Sequence, residues 1–353
     1  MDSFLITGGA GFVGSNLVLE LLSRKDVSSI VVVDNFLSSE KEELPDHPKL
    51  QILEGSIADD SILKEIEDQF DYIFHLACYH GNQSSIANPL EDHQNNALTT
   101  LKLFEHVKSF KQLKKIVYSG AGCAVSDKNT YEAKATLEKD VVSLDMDSPY
   151  SISKVLGEFY AKYYYKQHGL KIVRARFQNV FGPREILGAG KWRGTKATVW
   201  RNVVPTFIYK AIKGESLPLE NGGESSRDFI FVKDIVEGLL ALAFRGSPNE
   251  AYNLASGQEV TILELAALIN ELTENKTPLL FLPKREWDTS IKRFGCSQKS
   301  YRDLEFKAKT SLTAGLKETI DWFHENFDKI EKTMRKHLNH MPELNAYLSL
   351  AQL

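Results

Sequence analysis

Two clusters of residues in this chain have the types and spacing to do chemistry. Tyr150 and Lys154, in Tyr150-Ser151-Ile152-Ser153-Lys154, stand four residues apart and share one face of a helix. An ammonium beside a phenol stabilises the phenolate, so the tyrosine can take a proton from a substrate hydroxyl near neutral pH. Such pairs also occur as idle surface contacts, and the reactive reading gains weight from the second cluster. Leu5-Ile6-Thr7-Gly8-Gly9-Ala10-Gly11-Phe12-Val13-Gly14 runs from a short apolar strand through a glycine turn into a helix. Gly9, Gly11 and Gly14 fit G-x-G-x-x-G, and Gly8, Gly11 and Gly14 fit glycine at every third position. Glycine is needed there for the tight turn, the close approach of a pyrophosphate and close helix–strand packing. The phosphates would sit on the free amides and positive end of the following helix. Ile30-Val31-Val32-Val33 ends at Asp34, twenty residues beyond Gly14, where a carboxylate accepts from the adenosine ribose hydroxyls. The same charge repels a 2′-phosphate, so the cofactor read from these residues is NAD in preference to NADP.

These groups need a frame. Strand-like segments at 3–7, 30–34, 50–53, 72–76, 115–118 and 171–176 alternate with helical patterns at 11–24, 59–67, 94–109 and 150–168. That alternation predicts an α/β fold, a Rossmann-type doubly wound parallel sheet with helices on both faces. Ligands then lie at the carboxyl ends of the strands. The residues expected to hold the cofactor are Gly8, Gly11, Phe12, Val13, Gly14, Asp34, Asn35, Ser56, Ile57, Leu76, Ala77 and Ser119, with Tyr150 and Lys154. His75 reads as strand-end packing, and His80 and His93 fit no constellation. The pattern changes near Asn179. Gly182-Pro183 stops it, and 184–201 is rich in glycine, tryptophan and basic residues. Helical spacing resumes at 203–213, 233–244, 261–273 and 312–326. The expected division is a nucleotide-binding domain over 1–178, with 228–251 returning to it. A smaller mixed α/β substrate domain takes 179–227 and 252–325, and 326–353 form a helical tail.

Composition narrows the class. A net charge of −4 over 353 residues leaves no electrostatic footprint for nucleic acid. No apolar run is long enough to span a bilayer. The first strand begins at once, which leaves no room for a signal peptide. Cys78, Cys123 and Cys296 are too far apart for a metal cluster and too few for a disulfide framework. No metal is expected, and a reducing cytoplasm is the simplest compartment.

The motifs together resemble the extended short-chain dehydrogenases/reductases of the nucleotide-sugar epimerase/dehydratase group. The resemblance spans about 3–325 and rests on T-G-G-A-G-F-V-G at 7–14, Asp34-Asn35, His75-Leu76-Ala77 and Ser148-Pro149-Tyr150 with Lys154. It includes the run Arg176 to Pro183 and Arg227-Asp228-Phe229-Ile230. It implies bound NAD, a nucleoside-diphosphate sugar, transient oxidation at sugar C4, and Asn179, Arg227 and Arg293 near the diphosphate. Val204 and Arg193 join this substrate-binding set. The resemblance also implies a homodimer through helices 94–109 and 150–168, to which Phe159, Tyr160, Tyr163 and Tyr164 are suited unless they pack internally.

The departures from that group are informative. The Ser/Thr that binds the sugar O4 falls on Ala121. The Asp-Glu pair of the 4,6-dehydratases falls on Gly122 and Cys123, so dehydration by the usual route is disfavoured. The decarboxylases also use a Glu where Cys123 stands. A cysteine there resembles GDP-mannose 3,5-epimerases, in which a thiolate exchanges a proton at C5 of a 4-keto sugar. Cys123 is therefore read as either that catalytic thiol or a small inert one. The lysine paired with it in those enzymes is Arg193 here, a poor proton shuttle better suited to an anion. Lys191 and Lys196 stay open for the proton role. The segments G-A-G-K-W-R-G-T and T-V-W-R-N-V resemble bacterial O-antigen sugar-modifying members. The expected activity is an NAD-dependent nucleotide-sugar epimerase for surface polysaccharide. The alternatives are a keto-sugar-releasing dehydratase or oxidoreductase, or an NAD-binding protein without activity.

Overall fold

The computed structural model describes the chain except for residues 123–134, 141, 143, 285–291 and 349–353. The centre is a seven-stranded parallel sheet: β1 (Asp2–Thr7), β2 (Val27–Asp34), β3 (Leu50–Glu54), β4 (Tyr72–His75), β5 (Lys115–Ala121), β6 (Ile172–Phe177) and β7 (Ala251–Leu254), in the order 7-6-5-4-1-2-3. Its inner strands read as unbroken apolar runs. Leu5, Ile6, Ile30, Val32, Ile116, Val117, Ile172 and Val173 have no exposed surface, as a sheet covered on both faces demands. One face carries α1 (Phe12–Ser23), whose Leu17, Val18 and Leu21 share a core with Leu239 and Leu242. The other carries α2 (Thr99–Val107) and α3 (Pro149–His168), with Leu103, Phe104, Ala161 and Tyr164 in a second core. The strand order reverses between β1 and β4, which opens the crevice where such sheets bind ligands.

Two elements differ from the sequence pattern in a useful way. The helix expected at 94–109 opens with a π-helical turn at His93–Leu98 before α2 begins. That turn carries the buried Asn96, whose side chain bonds Asp92, Ser153 and the backbone of Tyr79. Residues 228–251 do return to the sheet through α5 (Val232–Arg245), which packs in the first core. Their opening strand, Phe229–Phe231, instead pairs with Asn179–Phe181, and the returning strand is β7. In the smaller half, Phe207, Tyr209, Leu265, Leu316 and Phe323 form a core of their own. They come from α4 (Val203–Ile212), α6 (Ile262–Leu272) and α7 (Leu312–Glu325).

The segment read as a tail is packed. Ile330 and Met334, in α8 (Phe327–Arg335), join that core along with Met341 and Leu344. Tyr209 stacks on Phe327 at 5.3 Å. This end of the chain also clasps the loop after β2. Glu40 pairs with Lys336 and accepts from Gly190 N at 2.7 Å, while Glu43 pairs with Lys329 and Arg184. Lys191 N donates to the Leu37 carbonyl and Arg201 to that of Ser38.

Candidate active site

A cavity of about 930 Å³ runs along the carboxyl edge of the sheet into the smaller half. At one end the turn between β1 and α1 is built with no room for side chains. A Cβ on Gly8, where φ is +73°, would lie 2.6 Å from Ala77 Cα. One on Gly14 would press into the Gly8 carbonyl and lie 2.7 Å from Gly9 Cα. The first helical bond of α1 runs from Ser15 N to the Gly11 carbonyl. The amides of Phe12, Val13 and Gly14, which line the cavity, therefore belong to the open first turn of the helix. Asp34 accepts from Ala10 N at 2.9 Å, Phe36 N at 2.9 Å and Ser39 Oγ at 3.0 Å. Burial raises its carboxyl above the ordinary range, and the amides of Phe36 and Ala10 oppose that rise. Asn35, Ser56, Ile57, Leu76, Ala77 and Ser119 line the same end.

The middle of the cavity holds Tyr150 and Lys154. Ser148 caps α3, its hydroxyl accepting from Ser151 N at 3.3 Å, Pro149 sets the first turn, and Ser85 Oγ accepts from Tyr150 N at 3.1 Å. Lys154 Nζ donates to the Ser119 carbonyl at 2.9 Å and lies 5.9 Å from the Tyr150 ring centroid. The ammonium is thus fixed between the cofactor end and the phenol. His75 lies beneath, bonded to Thr7 at 2.6 Å and Thr100 at 3.0 Å. Burial, and then the Lys154 charge, hold its pKa down at about 3, so it is a neutral strand-end brace.

At the far end, Asn179, Val204 and Arg227 line the cavity. Two expected substrate residues do not. Arg193 is buried behind the wall, where it bonds the carbonyls of His80 at 2.9 Å and Ala197 at 3.5 Å and covers the Tyr79 ring at 5.8 Å. Its guanidinium ties the 184–201 loop to the segment after β4 and does not reach the ligand space. Arg293 is buried in an ion pair with Asp147 at 3.0 Å, also outside the lining. Of the two lysines left open, Lys196 lines the cavity, paired to Glu343 at 2.6 Å, and Lys191 does not. Cys123 lies outside the described residues. Gly122 is described, and a Cβ there would lie 2.9 Å from the Phe177 carbonyl and run into Gln178. No group of metal-ligating side chains occurs among the described residues.

Several lining residues escaped the sequence reading. His80 faces the cavity five residues beyond His75, Gln178 precedes Asn179, and Glu185 and Arg201 come from the irregular 184–201 segment. Burial raises Glu185 to about 7, opposed by the Asn202 amide and Arg201. The cavity walls around it, followed by the charges of Arg193, Arg201 and Lys154, lower the pKa of His80. Its ring surface opens into the cavity, but protein surrounds that space. For His80 and Gln178 the one available signal was position, each coming after a strand end.

Residues 4–255 match the NAD dependent epimerase/dehydratase family. The chain belongs to that family. Its cofactor is NAD, and the Cβ-free turn, the open helix end and the buried Asp34 acceptor fit it. Among solved structures, this family member is similar to the Bordetella bronchiseptica enzyme WbmF in complex with NAD+ and UDP. The two are 56% identical, with a TM-score of 0.87 over 97% of this chain and 98% of that one. It is also similar to epimerase Mth375 from Methanothermobacter thermautotrophicus, at 38% identity and a TM-score of 0.85 over 94% of each chain. A curated relative, the UDP-N-acetyl-alpha-D-glucosaminuronate decarboxylase of Bacillus cytotoxicus, is 29% identical over 91% of this chain and 97% of its own length. Members of one family thus carry different net reactions, and the choice among them lies in the site.

Proposed function

We propose that this protein is an NAD-dependent nucleotide-sugar epimerase acting through a transient 4-keto sugar, in the making of surface polysaccharide (O-antigen/lipopolysaccharide) sugars. The observation that carries the reading is the junction of Tyr150 and Lys154 with the glycine turn, Asp34, Asn179 and Arg227 in one cavity. NAD, held by the glycine turn, the open end of α1 and Asp34, would supply a reversible hydride acceptor for the sugar carbon. Tyr150, as phenolate, takes the proton of the sugar O4 and gives it back at the end. Lys154 stabilises that phenolate and is held for the task by the Ser119 carbonyl. Arg227 and Asn179 face the diphosphate. The WbmF complex makes UDP the first nucleotide to test. Epimerisation proceeds at C4, by turning of the keto sugar in the pocket, or at C3 or C5, by proton exchange at Cys123.

Dehydration by the usual route needs an acid at position 122, where a Cβ would lie 2.9 Å from the Phe177 carbonyl. The exposed Phe159 and Tyr163 on the outer face of α3 support a homodimer through 94–109 and 150–168. Tyr164, by contrast, is buried with its hydroxyl on Glu105 at 2.6 Å. Among the described residues no helix is long and apolar enough to cross a membrane, and a cytoplasmic setting is part of the proposal.

Tyr150→Phe is expected to lower turnover of UDP-sugars by roughly a thousandfold or more, with NAD still present in the purified protein. Undiminished product formation by the variant sinks the reading. Solvent deuterium found at C3 or C5 of the product, and lost with Cys123→Ala, places the exchange there. Its absence from both carbons leaves C4.

A further inference from the structure

His80 stands in the cavity with no task in the scheme above. Its ring meets Tyr150 edge to face, with centroids 5.7 Å apart. Among the described residues its imidazole nitrogens make no hydrogen bond. Yet the backbone that presents it is pinned on both sides. Asn96 accepts from Tyr79 N at 2.7 Å and donates to the Tyr79 carbonyl at 3.3 Å. Arg193 donates to the His80 carbonyl at 2.9 Å. Asn96 is itself buried and held by Asp92 at 2.7 Å and Ser153 at 3.2 Å. A side chain whose supports are locked while its own polar atoms are left open to a cavity is preorganised for a ligand. The Arg193, Arg201 and Lys154 charges around it disfavour a further cation, and a neutral imidazole offers one donor and one acceptor.

The opposite wall lacks such a group. Ala121, at the end of β5, is buried against Tyr150 and Val155 and presents a methyl where a hydroxyl would hold the sugar. We infer that His80 hydrogen-bonds the sugar hydroxyl from which Tyr150 takes its proton, making from the β4 side the contact that Ala121 cannot make from β5. This rests on the reading that Tyr150 acts on a nucleotide sugar. It gives the π-helical turn a purpose, since that turn is what brings Asn96 to the Tyr79 backbone. It also gives Arg193 one, as a positioning residue that acts through the His80 carbonyl.

The test uses NAD-loaded protein carrying Tyr150→Phe, which prevents turnover, and compares binding of UDP, UDP-glucose and UDP-4-deoxyglucose by calorimetry. The parent is expected to prefer UDP-glucose over the deoxy sugar by roughly tenfold, the scale of one buried hydrogen bond. His80→Ala should bring the two within twofold while leaving UDP affinity unchanged. His80→Asn should keep part of the preference, and adding Ala121→Ser to His80→Ala should restore it. A parent without the preference, a preference that survives His80→Ala, or a parallel loss of UDP affinity overturns the inference. Failure of Ala121→Ser to restore it overturns the shared hydroxyl. Failure of the underlying reading shows elsewhere, as turnover retained by Tyr150→Phe.

Discussion

The two ends of the cavity are built by different means. The cofactor end is made of backbone: a turn too tight for any Cβ at Gly8 or Gly14, the open first turn of α1, and Asp34 held by two amides. The other end, proposed above to take the sugar, is lined by side chains brought from distant loops, with His80 after β4, Gln178 after β6, and Glu185 and Arg201 from the irregular 184–201 segment. Backbone construction fixes one ligand and tolerates no variation. Side-chain construction leaves the ligand and the reaction adjustable on an unchanged frame. Relatives that share this frame and differ in net reaction are what such a division permits.

The contrast breaks most directly at Gly14. Gly14→Val forces a side chain into the backbone of Gly8 and Gly9, with no flexible neighbour to yield. Affinity for NAD should fall by roughly a hundredfold or more, read as protein purified without cofactor. A variant that still carries NAD would mean the turn is less rigid than its geometry. The sugar end depends on ties further back. Glu158, on α3 with Tyr150 and Lys154, accepts from Arg176 Nε and Nη2 at 2.8 Å and from Arg174 Nη1 at 3.3 Å, all three side chains buried. Glu158→Gln leaves two buried guanidiniums without their counter-charge. It should lower unfolding free energy by about 3–5 kcal/mol, measured by denaturant titration.

A smaller effect concerns pH. The ordinary pKa of histidine is 6.5, and folded His75 is held at about 3. Below pH 6.5 the unfolded chain gains a proton that the folded chain refuses, so stability falls as pH falls through that window. The contribution of His75 between pH 7 and 5 is about 2 kcal/mol, seen as a shallower pH slope of unfolding in His75→Asn. An equal slope in both proteins would show that His75 is free to protonate in the fold.

Legibility in the sequence followed the same division. The glycine spacing, the strand ending in Asp34 and the Tyr150/Lys154 pair are local patterns, and their periodicity also placed the strands and most helices. Arg193 and Arg293 read as anion sites because a basic residue in a loop suggests one, and the fold sets both outside the cavity lining. Only the fold reveals that one bonds carbonyls and the other pairs with Asp147. Asn96 could not be read at all, and for His80 the sequence offered only its place after a strand end. Their meaning lies in a contact between the loop after β4 and a π-helical turn, and no spacing rule encodes that contact.

The clasp on the loop after β2 has a consequence for how the molecule is made. Lys336 and Glu40 are 296 residues apart in the chain. As the polypeptide leaves the ribosome, the parallel sheet can assemble once β7 has emerged. The loop beside Asp34, already tied to Gly190, Lys191 and Arg201, gains its Lys329 and Lys336 partners only when the α8 segment follows. The last ties on the loop beside the cofactor cradle thus form after the residues of the cradle itself have been made.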